Sequence, residues 1–162
     1  MNQKLQTISI TILPTHVLPV SWKIARRIIT ANHYLGYAPA MHKFSLGIFC
    51  GCELAGVMIF CHPVARLEDQ ENTLELSRMF LFDSPKNSES RALSLAEKWI
   101  RANRKEKRII AYADSGIHSG TIYKAANWTY LGIQRLYSWS KSRPNRRGTI
   151  GNKKLKFERI IS

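Results

Sequence analysis

The chain has 162 residues, 44% of them apolar and 22% charged, enough to bury a core as one domain spanning 1–162. Its 25 Lys and Arg against 11 Asp and Glu give a net charge of +14, a field that favours polyanions, nucleic acid before anionic membrane, over acidic partners. No stretch approaches the roughly 18 apolar residues of a membrane span, and the first residues lack a signal-peptide pattern, so a cytoplasmic protein is expected.

The charge is unevenly placed. No acid precedes Glu53, whereas Lys4, Lys23, Arg26, Arg27 and Lys43 do. From Lys141 onward the basic residues Lys141, Arg143, Arg146, Arg147, Lys153, Lys154, Lys156 and Arg159 stand against Glu158 alone, which makes 141–162 a basic C-terminal segment. The three cysteines, Cys50, Cys52 and Cys61, form no CxxC pair. They read as reduced thiols rather than a disulfide framework or a structural zinc site.

Leu5 to Leu13 alternates with β-branched residues and predicts a strand, followed by a connection between Pro14 and Pro19. Ser21 can cap a helix from Trp22 to Asn32 whose apolar stripe is Ile24, Ala25, Ile28 and Ile29. The polar-aromatic segment His33-Tyr34-Leu35-Gly36-Tyr37 reads as a loop. Phe44–Phe49 and Glu53–Phe60 predict a hairpin around Gly51-Cys52. Thr73–Phe82 suits a central strand, and Asn87 or Ser88 caps a helix to Asn103 that buries Ala92, Leu95, Ala96, Trp99 and Ile100. Arg108–Tyr112 is the next strand, Gly120–Trp128 a helix and Tyr130–Trp139 a strand with Gly132 as a bulge or a start. Leu155–Ile161 offers one more strand.

The order β-α-β-β-β-α-β-α-β resembles that of GCN5-related N-acetyltransferase (GNAT) domains. The resemblance implies an α+β, three-layer fold: a mixed, mostly antiparallel sheet with flanking helices, its two central parallel strands splaying apart where acyl-CoA binds. The helix start after Phe82 carries Ser84, Lys86, Asn87, Ser88 and Ser90, five donors suited to phosphate oxygens, with Glu89 opposing them. The glycines of the usual GNAT pyrophosphate loop are missing, so hydroxyls and an amide would have to replace them. Plain helix capping is the competing reading of this cluster. A tyrosine at the place of Tyr123 protonates the departing thiolate in many GNAT enzymes, and a phenol can serve as that acid.

Asp114 and His118 follow the buried strand within reach of the same crevice. The carboxylate could accept from an exocyclic amine or serve as its base, and the imidazole could titrate near neutrality. Arg78 lies in an apolar strand, where it needs a carboxylate partner or an anionic ligand. Without GxGxxG, an Asn/Asp-Pro-Pro-aromatic motif or GxxxxGK[ST], neither an S-adenosylmethionine-dependent base methyltransferase nor a P-loop enzyme is expected.

Several segments together resemble the Mom family of phage DNA-modification proteins. They are His33-Tyr34-Leu35, Leu76-Ser77-Arg78, Pro85-Lys86-Asn87-Ser88-Glu89-Ser90, Tyr112-Ala113-Asp114, and the long run from His118 to Trp128 with Tyr130 and Gly132. The resemblance implies conversion of the adenine N6 amine in duplex DNA to a methylcarbamoyl (acetamido-like) group using acetyl-CoA, which shields the DNA from host restriction. It implies that Ser90 and Tyr123 hold or act on acetyl-CoA, and that His33, Tyr34, Arg78 and Asp114 line the adenine side. Whether a metal takes part stays open; His33, Tyr34 and Asp114 are its candidate ligands.

A duplex adenine must be extruded and stacked to be reached, with Tyr34, Tyr37, Trp128 and Tyr130 as candidate platforms. Arg26, Arg27, Lys43, Lys141, Arg143, Arg146, Arg147, Lys153 and Lys154 are the candidate phosphate contacts. Two other readings compete: a conventional GNAT acetyltransferase of a protein or small amine, and a non-catalytic basic DNA-binding protein on a GNAT scaffold.

Overall fold

The computed structural model describes residues 13–134 and 153–161. The strand expected at Leu5–Leu13 falls almost wholly outside them. So do the second half of the strand expected at Tyr130–Trp139 and the basic residues Lys141, Arg143, Arg146 and Arg147. The first strand described is β1 (His16–Pro19), inside the segment read as a connection. Helix α1 (Trp22–Asn32) follows, with the Ser21 hydroxyl accepting from the Ile24 N–H at 3.4 Å. Then come β2 (His42–Cys50), β3 (Glu53–Cys61), β4 (Thr73–Leu81), α2 (Ser88–Asn103), β5 (Arg108–Asp114), the short α3 (Thr121–Ala125), β6 (Thr129–Gln134) and β7 (Lys154–Ile160). The stripe of α1 is narrower than expected. Ala25 and Ile29 are buried, but Ile24 is 46% exposed, because a single helix resting on a twisted sheet covers fewer positions than its apolar pattern offers.

The seven strands form one sheet in the order β1-β2-β3-β4-β5-β7-β6. Every neighbouring pair is antiparallel except β4–β5. The last strand in sequence is therefore inserted between β5 and β6. Helix α2 and α3 pack on one face with Leu74, Leu76, Ile109, Ala111 and Phe157, and α1 packs on the other with Val57, Ile59 and Cys61. No helix among the described residues is long and apolar enough to cross a membrane.

The parallel pair is the feature that makes a site. β4 and β5 are in register from Thr73↔Arg108 to Leu76↔Ala111, and there the pairing stops. Both strands run on, to Leu81 and to Asp114. On its other edge β4 shifts register against β3: Ile59 faces Arg78 and Phe60 faces Leu76, so Ser77 is the extra residue of a bulge. A bulge bends its strand, and this one lies where β4 turns away from β5.

Two buried carboxylates hold the frame. Glu106 is buried and accepts from Lys43 Nζ at 2.7 Å and Arg104 Nη2 at 2.8 Å. Burial would raise its pKa, but the hydrogen bonds from Arg104 and Lys43 prevail and hold it down to about 2. This corrects Lys43 as a phosphate contact, since its charge is spent on a carboxylate and its side chain is 13% exposed. Glu97, also buried, takes the Trp128 indole N–H at 2.7 Å on one oxygen and Arg159 Nε at 3.0 Å on the other. Arg159 also donates to the Asn127 carbonyl at 2.9 Å. Helix α2, the turn after α3 and β7 are tied at one point.

Candidate active site

Past Leu76 and Ala111 the splayed strands open a cleft of about 340 Å³. β4 lines it with Met79, Phe80 and Leu81, β5 with Tyr112 and Ala113, and the segment after β5 with residues 118–123. His33 and Tyr34 enter from the end of α1, and Glu89 from the first turn of α2. Tyr112, Ala113 and residues 118–123 thus form much of the wall.

On the face packed by α2 and α3, Tyr123 is 8% exposed. Its ring stacks on Phe157 with centroids 4.9 Å apart and tilts against Trp128 at 5.3 Å. Burial pushes its phenol pKa up, so Tyr123 is fully protonated at neutral pH. Gly120, just before α3, has φ +73, and a Cβ there would lie 2.3 Å from the Phe157 ring. Both the left-handed backbone and the close ring demand glycine at the start of the helix that carries Tyr123.

On the opposite face three rings stand in series. His33 stacks on Tyr34 at 4.5 Å, and His118 meets Tyr34 edge-on at 5.6 Å. The Leu35 N–H donates to His33 Nδ1 at 3.2 Å, which in the neutral ring leaves the hydrogen on Nε2. Burial, then the charges of Arg78 and His118, bring the His33 pKa down from 6.5 to about 4. His33 is therefore a neutral donor at pH 7. Because protonation is disfavoured only in the fold, the stability this adds is present above pH 6.5 and lost as pH falls toward 4. Acidification through that window is expected to lower the melting temperature less in His33→Gln than in the wild type. Equal losses in parallel thermal melts from pH 7 to 4 would contradict this.

Asp114 ends β5 at 5% exposure, one carboxylate oxygen fixed by the Gly116 N–H at 3.0 Å. Burial, and next the Asp114 charge, raise the pKa of Tyr34. Among the described residues Arg78 pairs with no carboxylate. Its Nη1 donates to the Ser77 carbonyl at 2.6 Å, its Nε to the Tyr37 carbonyl at 3.4 Å, and its guanidinium lies 5.0 Å over the Tyr37 ring. The bulge at Ser77 makes this possible by turning Arg78 off the strand's regular alternation.

The expected anion cluster at α2 is only partly presented. Ser88 is wholly buried with its hydroxyl unpartnered, so it offers no side-chain donor at the surface. Ser90 Oγ donates back to the Asn87 carbonyl at 3.1 Å. Lys86 and Asn87 are exposed and Ser84 is half-buried. Asn87 has φ 72 and makes no side-chain cap bond. It adopts the left-handed turn that the missing glycines would have supplied, a conformation asparagine tolerates better than most residues. The N–H groups of Glu89 and Ser90, in the first turn, have no intrahelical acceptor.

Of the proposed stacking rings, Tyr34 and Tyr37 are 50% and 56% exposed and Tyr130 is 45% exposed. Trp128 is withdrawn from that role, at 5% exposure with its indole N–H bound to Glu97. Arg26, Arg27 and Lys153 are exposed, and Lys154 is half-buried opposite Asp114 in the register. Tyr112, Ser119 and Thr121 line the cleft without having been singled out. Their only signal was adjacency to Asp114 and Tyr123, and His118 belongs here more firmly than its sequence position implied. The described residues hold no group of three His, Cys, Asp or Glu side chains arranged to bind a metal ion.

The fold is shared with acetyltransferases. An N-acetyltransferase from Staphylococcus aureus Mu50 superposes with TM-score 0.58 at 10% identity, covering 90% of this chain and 97% of that one. The microcin C7 self-immunity acetyltransferase MccE, solved with acetyl-CoA and AMP, superposes with TM-score 0.52 at 13% identity, covering 72% and 60%. In sequence, the methylcarbamoylase Mom of Escherichia phage Mu is 33% identical over 124 residues. That match covers 70% of this chain and 52% of the phage Mu protein, so the chain spans about half the length of that relative. The profile of the Mom protein family matches residues 14–150, and with His33, Tyr34 and Tyr123 lining the cleft between the parted strands, the chain belongs to that family.

Proposed function

We propose that this protein is an acyl-CoA-dependent transferase that converts the exocyclic amine of adenine in duplex DNA to a methylcarbamoyl derivative. The observation that carries the reading is the cleft itself. It opens where β4 and β5 part, with a buried protonated phenol on one face and His33 and Tyr34 on the other, and the Asp114 charge acts on Tyr34. A polar acceptor and an acyl donor entering from opposite faces would meet between the strands. The family relationship to a phage methylcarbamoylase and the net charge of +14 support DNA over a protein or small amine.

Acetyl-CoA would supply the two-carbon unit. Residues of this chain suit each of its ends. The first-turn amides of α2, with Lys86 nearby, offer donors to phosphate oxygens. Glu89 lies toward the cleft and leaves those phosphates the outer side of the turn. Tyr123 offers a proton at the sulfur, and the burial that raises its own pKa would also make a thiolate in the same cleft more basic. Across the cleft, the fixed carboxylate of Asp114 can accept from an amine and withdraw its proton. His33 Nε2–H can donate to a ring nitrogen, and Tyr34 can stack on the base. Acyl transfer breaks the carbon–sulfur bond and by itself leaves an acetylated amine, so the amide nitrogen of the methylcarbamoyl group comes from a further donor, in a step given to none of these side chains.

The test is expression with a plasmid in cells, followed by digestion of the DNA to nucleosides and mass spectrometry. A deoxyadenosine derivative heavier by the methylcarbamoyl unit is expected. Unmodified deoxyadenosine beside soluble, folded protein would overturn the assignment.

A further inference from the structure

A second concavity, of about 350 Å³, lies beside the cleft on the α1 side. One wall is a single stripe of α1, Trp22, Arg26 and Thr30, spaced four residues apart and so stacked on one helix face. The other wall is the loop from Gly36 to Ala40, with Tyr37 and Pro39 at its centre. Tyr37 links the trough to Arg78, whose charge reaches His33 of the cleft. One face of the Tyr37 ring carries the guanidinium of Arg78 at 5.0 Å, yet the residue is 56% exposed and its ring forms part of the trough. The main-chain carbonyl of Tyr37 also accepts from Arg78. Through Tyr37 and Arg78 the trough adjoins the His33 side of the cleft.

Its electrostatics are one-sided. The sequence holds no acid before Glu53, so neither wall contributes a carboxylate. The ion pairs among the described residues use Lys43, Arg104, Arg108, Lys156 and Arg159, and none uses Arg26. Lys43 is neutralised by Glu106, whereas Arg26, like Lys23 and Arg27 on the same helix, is exposed and enters no ion pair among the described residues. A guanidinium and a hydroxyl on a helix face, opposite an open aromatic ring, match the two halves of a nucleotide: phosphate on one side, base on the other.

We propose that the trough between Trp22-Arg26-Thr30 and the Tyr37 loop binds the nucleotide next to the target adenine, its phosphate on Arg26 and Thr30 and its base stacked on Tyr37. The proposal rests on the DNA reading above and adds a subsite to it. Extruding one base from a duplex leaves its neighbour unstacked on one side, and a ring poised beside the cleft compensates part of that loss. Tyr37 would then couple the flanking base to Arg78 at the acceptor side, so that the identity of that base influences the site.

The test uses the whole protein and a duplex oligonucleotide bearing 5-iododeoxyuridine at one position at a time around a central adenine. Irradiation and peptide mass spectrometry are expected to find a cross-link to Tyr37 or Trp22 from one position within about two nucleotides of that adenine. In parallel, fluorescence anisotropy with the same duplex is expected to show Tyr37→Leu binding about tenfold more weakly, and Tyr37→Phe at the wild-type level. Arg26→Gln is expected to reduce the slope of log affinity against log salt by about one. Wild-type protein that binds the duplex, with cross-links confined to other segments, Tyr37→Leu at wild-type affinity and Arg26→Gln at the wild-type salt slope, would overturn the trough and leave the DNA reading standing. Wild-type protein that binds no duplex at low salt would overturn both.

Discussion

If Tyr123 is the acid of the proposed adenine conversion, replacing it by phenylalanine is expected to slow that conversion about a hundredfold or more, the usual contribution of a positioned acid. The ring would keep its stacking on Phe157 and its contact with Trp128, so packing should hardly change. Only the hydroxyl, and with it the proton offered at the sulfur, is removed. Acetyl-CoA affinity by calorimetry and the melting temperature are therefore expected to stay close to those of the wild type. That combination separates an acid from a packing residue, because loss of packing would lower all three. A rate within about threefold of wild type would end the assignment of Tyr123 as proton donor.

The largest effect on stability is expected at Glu97. Glu97→Ala removes the acceptor of a buried indole N–H and the partner of Arg159 together. Stripping one side from a buried charged pair costs about 3–5 kcal/mol. Because the Arg159 side chain is 33% exposed and can take up water, the lower end, about 3 kcal/mol, is expected. Urea unfolding would measure it as a fall in midpoint at constant slope. Glu97→Gln preserves an acceptor for Trp128 and should lose much less. If Glu97→Ala cost under about 1 kcal/mol, the carboxylate would not be the tie between α2, β7 and the turn after α3. Trp128 packs on Tyr123, so the same substitution should also blur the position of the proposed acid and lower activity beyond the loss of folded protein.

Trp128 also shows where sequence reading stops. Its place in an aromatic, polar run made it a candidate to stack a base, and nothing local distinguishes such a ring from a core one. Glu97, 31 residues earlier, decides the matter by taking its N–H. Lys43 is a parallel case: it is basic, lies in an acid-free stretch, and is neutralised by Glu106, 63 residues away. Ser88 sits in a string of hydroxyls at a helix start, yet the first-turn geometry of α2 rotates it into the core while Ser90 turns back on the chain. For Trp128 and Lys43 the partner is distant in sequence, and for Ser88 the packing of α2 on the sheet decides; a local pattern carries no information about either.

By itself the sequence determined the order of elements from α1 onward, because hydrophobic period, caps and turn residues are local and act over a few positions. It also determined the segments that build the cleft, since a strand end, a glycine at positive φ and a tyrosine one turn into a helix occur within a dozen residues of each other. The tertiary structure alone decided that β7 enters between β5 and β6 and that β4 and β5 separate after Leu76 and Ala111. It alone brought His33 and Tyr34 across to face Tyr123. These are consequences of strand pairing and bulge placement between segments far apart in the chain, where free energy is set by contacts that no single stretch of residues contains.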